Sequence, residues 1–312
     1  MPDIDNTPLV TIIINCFNGE KFLRETINSV INQTYSNWEL IFWDNQSTDS
    51  TADIVKSYTD PRIHYIYAPK HTPLGEARSL AIKEMQGEYL CFLDADDYWK
   101  EDFLQSFVRV FSNNPNVGLV FSRFINLHTN TGKEILSHGG KVSCIVSTKV
   151  VVRDYDIAMS SSMINGRILK QLQGKFFNPQ YSLIEDYDLY IRIASLSEVY
   201  YIADPLSIYR IHSSNNSYSD KWVSEFISLR NSIIEKKEGY EGLESFLKFI
   251  SIRINYYQLI TDSSKHNRVS LVFKTFGNVL LGRTNPKHLL LPILGTKNYF
   301  NFQTAFNKMH KR

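Results

Sequence analysis

Three carboxylates within four residues form the most chemically suggestive feature of the sequence. Asp94, Asp96 and Asp97 follow an apolar run in the segment FLDADD. Carboxylates this close repel one another, and a divalent cation with oxygen ligands relieves that repulsion and also binds phosphate groups. Aspartates also favour the N-terminus of a helix, so an acidic turn that caps the next helix is the alternative. The pattern therefore indicates either a Mn²⁺ or Mg²⁺ site that holds phosphates, or a helix cap.

Polar residues also follow two other apolar, strand-like runs. VTIIINCFN ends in the polar stretch 15–18, and WELIFWDNQS ends in the stretch 44–47. In open α/β sheets, ligands bind beyond the carboxyl ends of the parallel strands. We therefore expect these two stretches and the aspartate cluster to lie at one edge of a sheet.

The elements that would hold these groups alternate regularly over the first hundred residues. Four short apolar runs are separated by longer segments with apolar residues at three- and four-residue spacing, as in EKFLRETINSVINQT. This alternation predicts right-handed βαβ crossovers and an α/β fold with a doubly wound, mostly parallel sheet. After Asp97 the regularity loosens and predicts a mixed half, in which IEDYDLYIRIASL forms a helix and VYYIADPLSIYRIH forms two strands bent at Pro205. From about Asp220 the pattern is helical.

Five segments in this order resemble the family 2 glycosyltransferases, which are inverting enzymes with a GT-A-type nucleotide-sugar-binding fold. The segments are VTIIINCFN, QTYSNWELIFWDNQSTDST, LGEARSLAIKEMQGEYLCFLDADDYW, IEDYDLYIR and YRIHSSNNS. The resemblance covers about residues 10–217. It implies a glycosyltransferase domain over residues 1–217, with a Rossmann-like nucleotide-sugar half over about 1–98 and an acceptor half over about 99–217. A helical, basic region over 218–312 would follow.

The resemblance also implies which residues bind the donor nucleotide. Phe17 would pack on the base, unless it is a plain core aromatic. Asn45 stands where the family usually has an acidic residue that binds uracil, and its amide both donates and accepts hydrogen bonds, which weakens the expectation of uridine. Arg78 would face the diphosphate, because a guanidinium binds phosphate in bidentate fashion; an exposed helix arginine is the alternative. The implied nucleotide-binding residues are Asn15, Phe17, Asn18, Asp44, Asn45, Arg78 and Asp94.

The same resemblance assigns the metal-binding, catalytic and acceptor-side residues. Asp96, Asp97 and His212 would hold the cation, with Arg210 near phosphate, although a lone histidine is more often structural. Asp186 would act as the general base, with Glu185 as its support; an acidic start to a helix is the alternative. Asp188 would point elsewhere, since residues two apart do not share a helix face. The acceptor side would include Trp99, a core residue on the other interpretation, and Ser161.

Composition excludes several other classes of protein. The chain has 312 residues, 34 basic and 32 acidic side chains and 43% hydrophobic residues, which is typical of a folded protein and not of one held to nucleic acid by a basic surface. The three cysteines form no CxxC pair, so neither a disulfide framework nor a zinc site is expected. The N-terminal residues do not resemble a secretory signal. These features predict a cytoplasmic location.

The charge is unevenly distributed along the chain. Residues 1–264 hold 25 basic and 32 acidic side chains, whereas residues 265–312 hold nine basic and none acidic, interspersed with aromatic residues. This composition is typical of amphipathic segments that lie on an anionic membrane surface. The alternative is a helical cap that packs on the catalytic domain or on a second subunit.

The resemblance to family 2 glycosyltransferases implies that the protein is an inverting glycosyltransferase. It would transfer a sugar from a nucleotide-diphosphate sugar, most reasonably a UDP-sugar, to a saccharide or lipid-linked saccharide in cell-surface polysaccharide or glycolipid synthesis. Two alternatives stay open on the sequence: a sugar nucleotidyltransferase, and a non-catalytic nucleotide-sugar-binding module of the same fold. Against the first, NCFNGEKF has a single glycine where such enzymes carry a glycine-rich loop.

Overall fold

Residues 7–137, 139–148, 151, 157–212, 220–236, 247–248, 250–251 and 254 are described by a computed structural model of the chain. The chain divides into two units, Met1–Asn215 and Asn216–Arg312. The first unit contains the sheet and all the residues discussed as a site below. The predicted basic and aromatic segment, 265–312, lies outside the described residues.

The apolar runs of the first unit form the strands of one sheet. The apolar runs in the first hundred residues are rich in β-branched and aromatic residues, which pack well on a pleated, buried surface. The described strands are β1 (Val10–Cys16), β2 (Trp38–Asp44), β3 (Ile63–Tyr67), β4 (Tyr89–Phe92), β5 (Tyr98–Trp99), β6 (Val117–His128), β7 (Lys133–Leu136), β8 (Cys144–Val146), β9 (Ser162–Asn165) and β10 (Glu198–Ile211).

The strands follow the order β3-β2-β1-β4-β9-β6-β10-β5, with β7 beside β6 and β8 beside β10. The four strands β3, β2, β1 and β4 are parallel to their neighbours. β9 then runs antiparallel between β4 and β6, whereas β6 and β10 are parallel. The first half of the sheet is thus the predicted parallel one and the second half is mixed, as the sequence indicated.

Helices connect the strands and cover the sheet. Their apolar residues recur on one face, so that each buries a stripe against the strands. Those described in the first unit are α1 (Leu23–Ile31), α2 (Thr51–Lys56), α3 (Leu74–Ala81), α4 (Phe103–Asn113), α5 (Gly166–Gln171) and α6 (Glu185–Leu196), with 3₁₀ turns at Ile82–Glu84 and Met159–Ser161. In the second unit, α7 spans Asp220–Lys236. No described helix has the length and apolar character needed to cross a bilayer.

The core lies on both faces of the central strands. β1 and β2 are almost wholly buried, which explains why their sequences are continuous apolar runs and not alternating ones. On α1, Leu23, Ile27 and Val30 are fully buried at helical spacing. Burial of each such side chain contributes on the order of 2 kcal/mol to folding. The rigid sheet that results carries the polar residues at its carboxyl edge.

β10 differs from the prediction of two strands bent at Pro205. It is one long strand that pairs along β6 from Glu198↔Val117 to Ile211↔His128, with register shifts on both sides of Pro205. Proline has no backbone N–H to donate to the ladder, so the pairing is interrupted there but resumes beyond it. This continuity carries the end of β10 to the turn that follows β4.

Candidate active site

The turn after β4 presents two of its three aspartates to the surface. About one third of the side chains of Asp94 and Asp96 is exposed. His212 Nε2, just beyond β10, lies 2.8 Å from Asp96 Oδ2. Arg210 Nη1 donates to the carbonyl oxygen of Asp96 over 2.5 Å. The structure therefore brings together two of the predicted metal-binding residues, Asp96 and His212, although they are 116 positions apart in the chain.

Asp97 occupies a different position from the one predicted. Its carboxylate is fully buried, where it accepts hydrogen bonds from the Arg210 backbone N–H (2.9 Å) and from Ser160 Oγ (2.7 Å). Burial, followed by the nearby charges of Asp94 and Asp96, raises the pKa of Asp97 well above its usual range. Both carboxylate oxygens have protein partners in the interior. The expectation that Asp97 shares the cation directly therefore does not agree with its position.

Arg78 is also more buried than the sequence suggested. Its guanidinium donates to Asp94 Oδ1 (2.8 Å) and to Glu185 Oε1 (3.3 Å), and lies within 6 Å of the ring centroids of Phe92 and Phe177. Burial alone would lower the pKa of Arg78, but the carboxylates of Asp94, Glu185 and Asp186 raise it. The side chain is 5% exposed, which excludes a solvated helix arginine. Arg78 links the turn after β4 to the start of α6.

The start of α6 carries the predicted catalytic pair. Glu185 is buried against Arg78, while Asp186 is partly exposed and its Oδ1 accepts the backbone N–H of Tyr187 (2.7 Å). Asp188 points to Arg192 instead, whose Nε lies 3.0 Å from Asp188 Oδ2, as the two-residue offset predicted. Desolvation raises the pKa of Asp94, and Asp96 raises it further while Arg78 opposes the shift. The carboxylates of the turn and of α6 thus share one electrostatic environment.

The end of β1 offers an exposed aromatic ring and a buried amide. Phe17 is 53% exposed and its ring contacts that of His71 edge-on, with centroids 4.6 Å apart, so it is not a core residue. The side-chain N and O of Asn15 are buried and have no hydrogen-bond partner among the described residues. An unmet buried amide is unfavourable unless a ligand or water satisfies it. Asn18 adopts a left-handed φ of 56° and accepts from the Thr48 backbone N–H (2.8 Å).

The two residues predicted at the end of β2 are bonded within the protein. Asp44 is fully buried and accepts from Tyr65 Oη (2.6 Å) and from the Ser47 backbone N–H. Asn45 Nδ2 donates to the Thr72 carbonyl (2.7 Å) and Asn45 Oδ1 accepts the Thr72 N–H (3.1 Å). The structure therefore gives neither side chain the exposed position that contact with a base requires.

His71 is a residue that the sequence analysis missed at this end of the site. It follows β3, is exposed, and its Nδ1 lies 2.8 Å from the Asn45 carbonyl oxygen. A carbonyl accepts only, so Nδ1 carries a proton and Nε2 is the acceptor in the neutral ring. The rule about strand ends applies to β3 as well as to β1, β2 and β4 and would have drawn attention to His71.

The two predicted acceptor-side residues belong to the interior. Trp99 is 3% exposed, stacks on Phe103 at 4.2 Å and donates from Nε1 to the Ser160 carbonyl (2.6 Å), as its alternative core interpretation required. Ser161 is fully buried and its hydroxyl bonds within its own 3₁₀ turn, to Ala158. Neither side chain is placed to meet an acceptor. Ser160 precedes Ser161 in the same 3₁₀ turn and contacts both the backbone of Asp94 and the carboxylate of Asp97.

Comparison with known proteins identifies the class to which this fold and site belong. Residues 11–160 match the model of glycosyl transferase family 2. An uncharacterized glycosyltransferase of Methanocaldococcus jannaschii is 31% identical over 219 residues, which are 68% of this chain and 74% of the relative. Over shorter stretches, a Bacillus subtilis glycosyltransferase named for teichuronic acid biosynthesis is 40% identical (31% of this chain, 40% of the relative). The Escherichia coli UDP-Glc:α-D-GlcNAc-diphosphoundecaprenol β-1,3-glucosyltransferase is 32% identical (39% of this chain, 48% of the relative).

Solved structures agree in fold. Staphylococcus aureus TarS in complex with UDP-GlcNAc has a TM-score of 0.66 at 15% identity, covering 91% of this chain and 85% of TarS. A mannosyltransferase of Pyrobaculum calidifontis in complex with GDP-Man and Mn²⁺ has a TM-score of 0.57 at 17% identity, covering 90% and 82%. The chain therefore belongs to glycosyltransferase family 2 and has the GT-A fold. The predicted fold class and the predicted enzyme class are confirmed.

Proposed function

We propose that this glycosyltransferase moves a sugar from a nucleoside-diphosphate sugar, with uridine as the first choice of nucleoside, to a saccharide or lipid-linked saccharide acceptor with inversion. The observation that carries the proposal is the buried contact of Arg78 with both Asp94 and Glu185, because it holds the donor-side turn and the start of α6 in one network. The names of the E. coli relative and of the TarS complex, with UDP-sugars and a lipid-linked acceptor, support this choice. Cell-surface polysaccharide or glycolipid synthesis is the setting that we propose.

The residues at the turn fit a divalent cation. Asp96 Oδ2 and His212 Nε2 lie 2.8 Å apart, and such oxygen and nitrogen donors suit Mn²⁺, while Mg²⁺ prefers oxygen. No group of three or more histidine, cysteine or acidic side chains in the described residues is arranged to hold a metal ion. Ions of this kind commonly take their remaining ligands from substrate phosphates and water. When bound, the cation would neutralise charge on the departing diphosphate.

The protein's own part in the reaction falls mainly to Asp186. Its carboxylate takes the proton of the acceptor hydroxyl as the hydroxyl oxygen forms a bond to the anomeric carbon. The bond from that carbon to the phosphate oxygen breaks at the same time, and its electron pair leaves with the nucleoside diphosphate. A single displacement of this kind inverts the anomeric configuration. Glu185, fixed by Arg78, supports the geometry of the first turn of α6.

The test is the variant Asp186→Asn, with Asp204→Asn as the matched control because Asp204 is an exposed acid on β10. UDP-GlcNAc, UDP-glucose, UDP-galactose and GDP-mannose with Mn²⁺ are screened by thermal shift, since a ligand of the native state raises Tm. Slow hydrolysis of the bound donor, with water as the acceptor, reports turnover. We expect Asp186→Asn to keep the shift in Tm and to lower hydrolysis about 100-fold, with the control unchanged.

Three results would count against the proposal. A fully active Asp186→Asn variant would exclude Asp186 as the base, and early ¹H NMR spectra showing a product of retained configuration would exclude inversion. Binding without any turnover by the unaltered chain would favour the non-catalytic module. Sugar nucleotidyl transfer, the other alternative that the sequence left open, is disfavoured because the family consists of glycosyltransferases.

A further inference from the structure

Asp97 joins two segments that are distant in sequence. Its Oδ1 accepts the backbone N–H of Arg210 near the end of β10, and its Oδ2 accepts the hydroxyl of Ser160 in a 3₁₀ turn. In addition, the hydroxyl of Thr26 on α1 donates to the Asp97 carbonyl oxygen (2.7 Å). A fully buried carboxyl group with several donors is rigidly held, since loss of a donor would leave a buried polar oxygen without a hydrogen bond.

The contact with Arg210 controls the position of Asp96. Arg210 lies between the rings of Phe22 and Tyr98, 4.9 and 4.5 Å from their centroids, and donates to the Asp96 carbonyl. His212 follows Arg210 by two residues, just beyond the end of β10, so a shift of the Arg210 backbone would also move His212. Asp97 therefore fixes both members of the pair Asp96 and His212, although its own side chain is fully buried.

The contact with Ser160 controls the position of Asp94. Ser160 Oγ accepts the backbone N–H of Asp94 (3.1 Å) while it donates to Asp97. The Ser160 carbonyl is in turn held by Trp99 Nε1 (2.6 Å). One hydroxyl thus ties the first aspartate of the turn to the last, and the aromatic core holds that hydroxyl in place.

We propose that Asp97 and Ser160 are positioning residues that hold Asp94, Asp96 and His212 in the arrangement that binds a cation and a diphosphate, and that Asp97 is not itself a ligand. The inference rests on the proposed function, because it concerns how the same site is built. The inference predicts that asparagine can largely replace Asp97. Its amide could still accept a hydrogen bond from the Arg210 N–H and could donate one to Ser160 Oγ, whereas a metal ligand would lose its anionic oxygen on the same change.

The experiment uses the 312-residue chain. It measures the Mn²⁺ concentration at which UDP produces half of its maximal rise in Tm. The variants are Asp97→Ala, Asp97→Asn, Ser160→Ala and Asp96→Asn, with Asp102→Asn, an exposed acid nearby, as the control. We expect Asp97→Ala and Ser160→Ala each to raise this concentration about 10-fold or more, as removal of groups that orient metal ligands usually does. Asp97→Asn should raise it only about 3-fold, much less than Asp96→Asn, because the amide keeps the bonds.

The double variant Asp97→Ala/Ser160→Ala adds a second test. The two residues share one hydrogen bond, and each single variant already breaks it, so the effect of the pair should be smaller than the product of the single effects. A purely structural role would lower Tm without ligand and leave the Mn²⁺ midpoint unchanged, which would overturn the inference. Asp97→Asn as damaging as Asp96→Asn, with Ser160→Ala neutral, would make Asp97 a ligand. If the unaltered chain shows no Mn²⁺-dependent binding of UDP, the proposed function fails first.

Discussion

Phe17 and His71 form an exposed aromatic pair at the carboxyl edge of the sheet, while Asp44 and Asn45 are bonded inward. The resemblance to the family placed the base against Phe17 and Asn45, but the Asn45 amide is hydrogen-bonded to the backbone of Thr72. We therefore expect the base to meet Phe17, His71 and the amide of Asn15, which has no hydrogen-bond partner in the described part of the chain. The structure thus changes the predicted donor site in one respect: His71 takes the place of Asn45 beside Phe17 and Asn15.

The residue-scale prediction concerns Phe17→Ala. Because stacking of a base on an aromatic ring contributes about 1–3 kcal/mol, we expect the Kd for UDP in the presence of Mn²⁺ to rise about 5- to 150-fold. The free energy of unfolding should change little, since about half of the side chain is already exposed. Leu136→Ala, at an exposed apolar position on β7, is the control. Calorimetric titration measures the Kd, and an unchanged Kd would remove Phe17 from the site.

At the scale of elements, α3 connects the turn after β4 to the start of α6. Its Arg78 reaches Asp94 beyond β4 and Glu185 at the start of α6. The helix is short, and its position is fixed by Ala77 and Ala81, which are fully buried. α3 therefore places the guanidinium of Arg78 between the turn after β4 and the start of α6. Without it, the carboxylates of Asp94 and Glu185 would lack this compensating positive charge.

The element-scale prediction is that Arg78→Met destabilises the fold. Removing one partner of a buried ion pair leaves an uncompensated charge, so we expect a loss of about 3 kcal/mol in urea unfolding. Lys70→Met is the control, because Lys70 and Glu76 form an exposed pair worth little, and its effect should stay below about 1 kcal/mol. Combining Arg78→Met with Glu185→Gln should recover part of the loss. Equal effects of Arg78→Met and Lys70→Met would contradict a buried network.

At the scale of the whole molecule, the formal charge of +2 conceals an acidic part and a basic part. The acidic side chains all fall in residues 1–264, and residues 265–312 carry nine lysines and arginines among many aromatic residues. We propose that this segment attaches the enzyme to anionic membrane surfaces, where each basic residue near the surface contributes about 1 kcal/mol. An enzyme that uses a lipid-linked acceptor would gain access to it in this way.

The whole-molecule prediction is a salt-sensitive association with vesicles. The 312-residue chain should sediment with phosphatidylglycerol-containing vesicles and not with vesicles of phosphatidylcholine alone, and should be released as the salt concentration is raised. Replacing Lys287, Lys297, Lys308 and Lys311 by Gln should weaken binding at least about 10-fold. The matched control replaces four exposed lysines of the first unit, Lys83, Lys133, Lys141 and Lys170, by Gln. Equal binding by both quadruple variants would exclude the segment, and a concentration-dependent change of mass without vesicles would favour a subunit contact.

Much of the fold could be predicted because its signals are local. The buried strands β1 and β2 are continuous apolar runs, and α1 repeats Leu23, Ile27 and Val30 at helical spacing. The single long β10 could not be predicted, because a proline interrupts the local pattern and only pairing with β6 shows that the strand resumes. Register against a distant strand is a tertiary property.

The sequence by itself determined the family, the α/β architecture and the polar groups at the strand ends. The spacing of apolar residues and the ends of the apolar runs are local properties, and the order of the motifs can be read along the chain. The tertiary structure alone decided which of those groups are exposed and which are buried. Asp96 and Asp97 are adjacent and chemically identical, yet one is exposed and the other is buried against Ser160 and Arg210. The two partners of the Asp97 carboxylate, Ser160 and Arg210, lie 63 and 113 positions away in the sequence. Hydrogen bonds between distant segments, and the desolvation that accompanies them, therefore separate a residue that can bind a ligand from one that positions it.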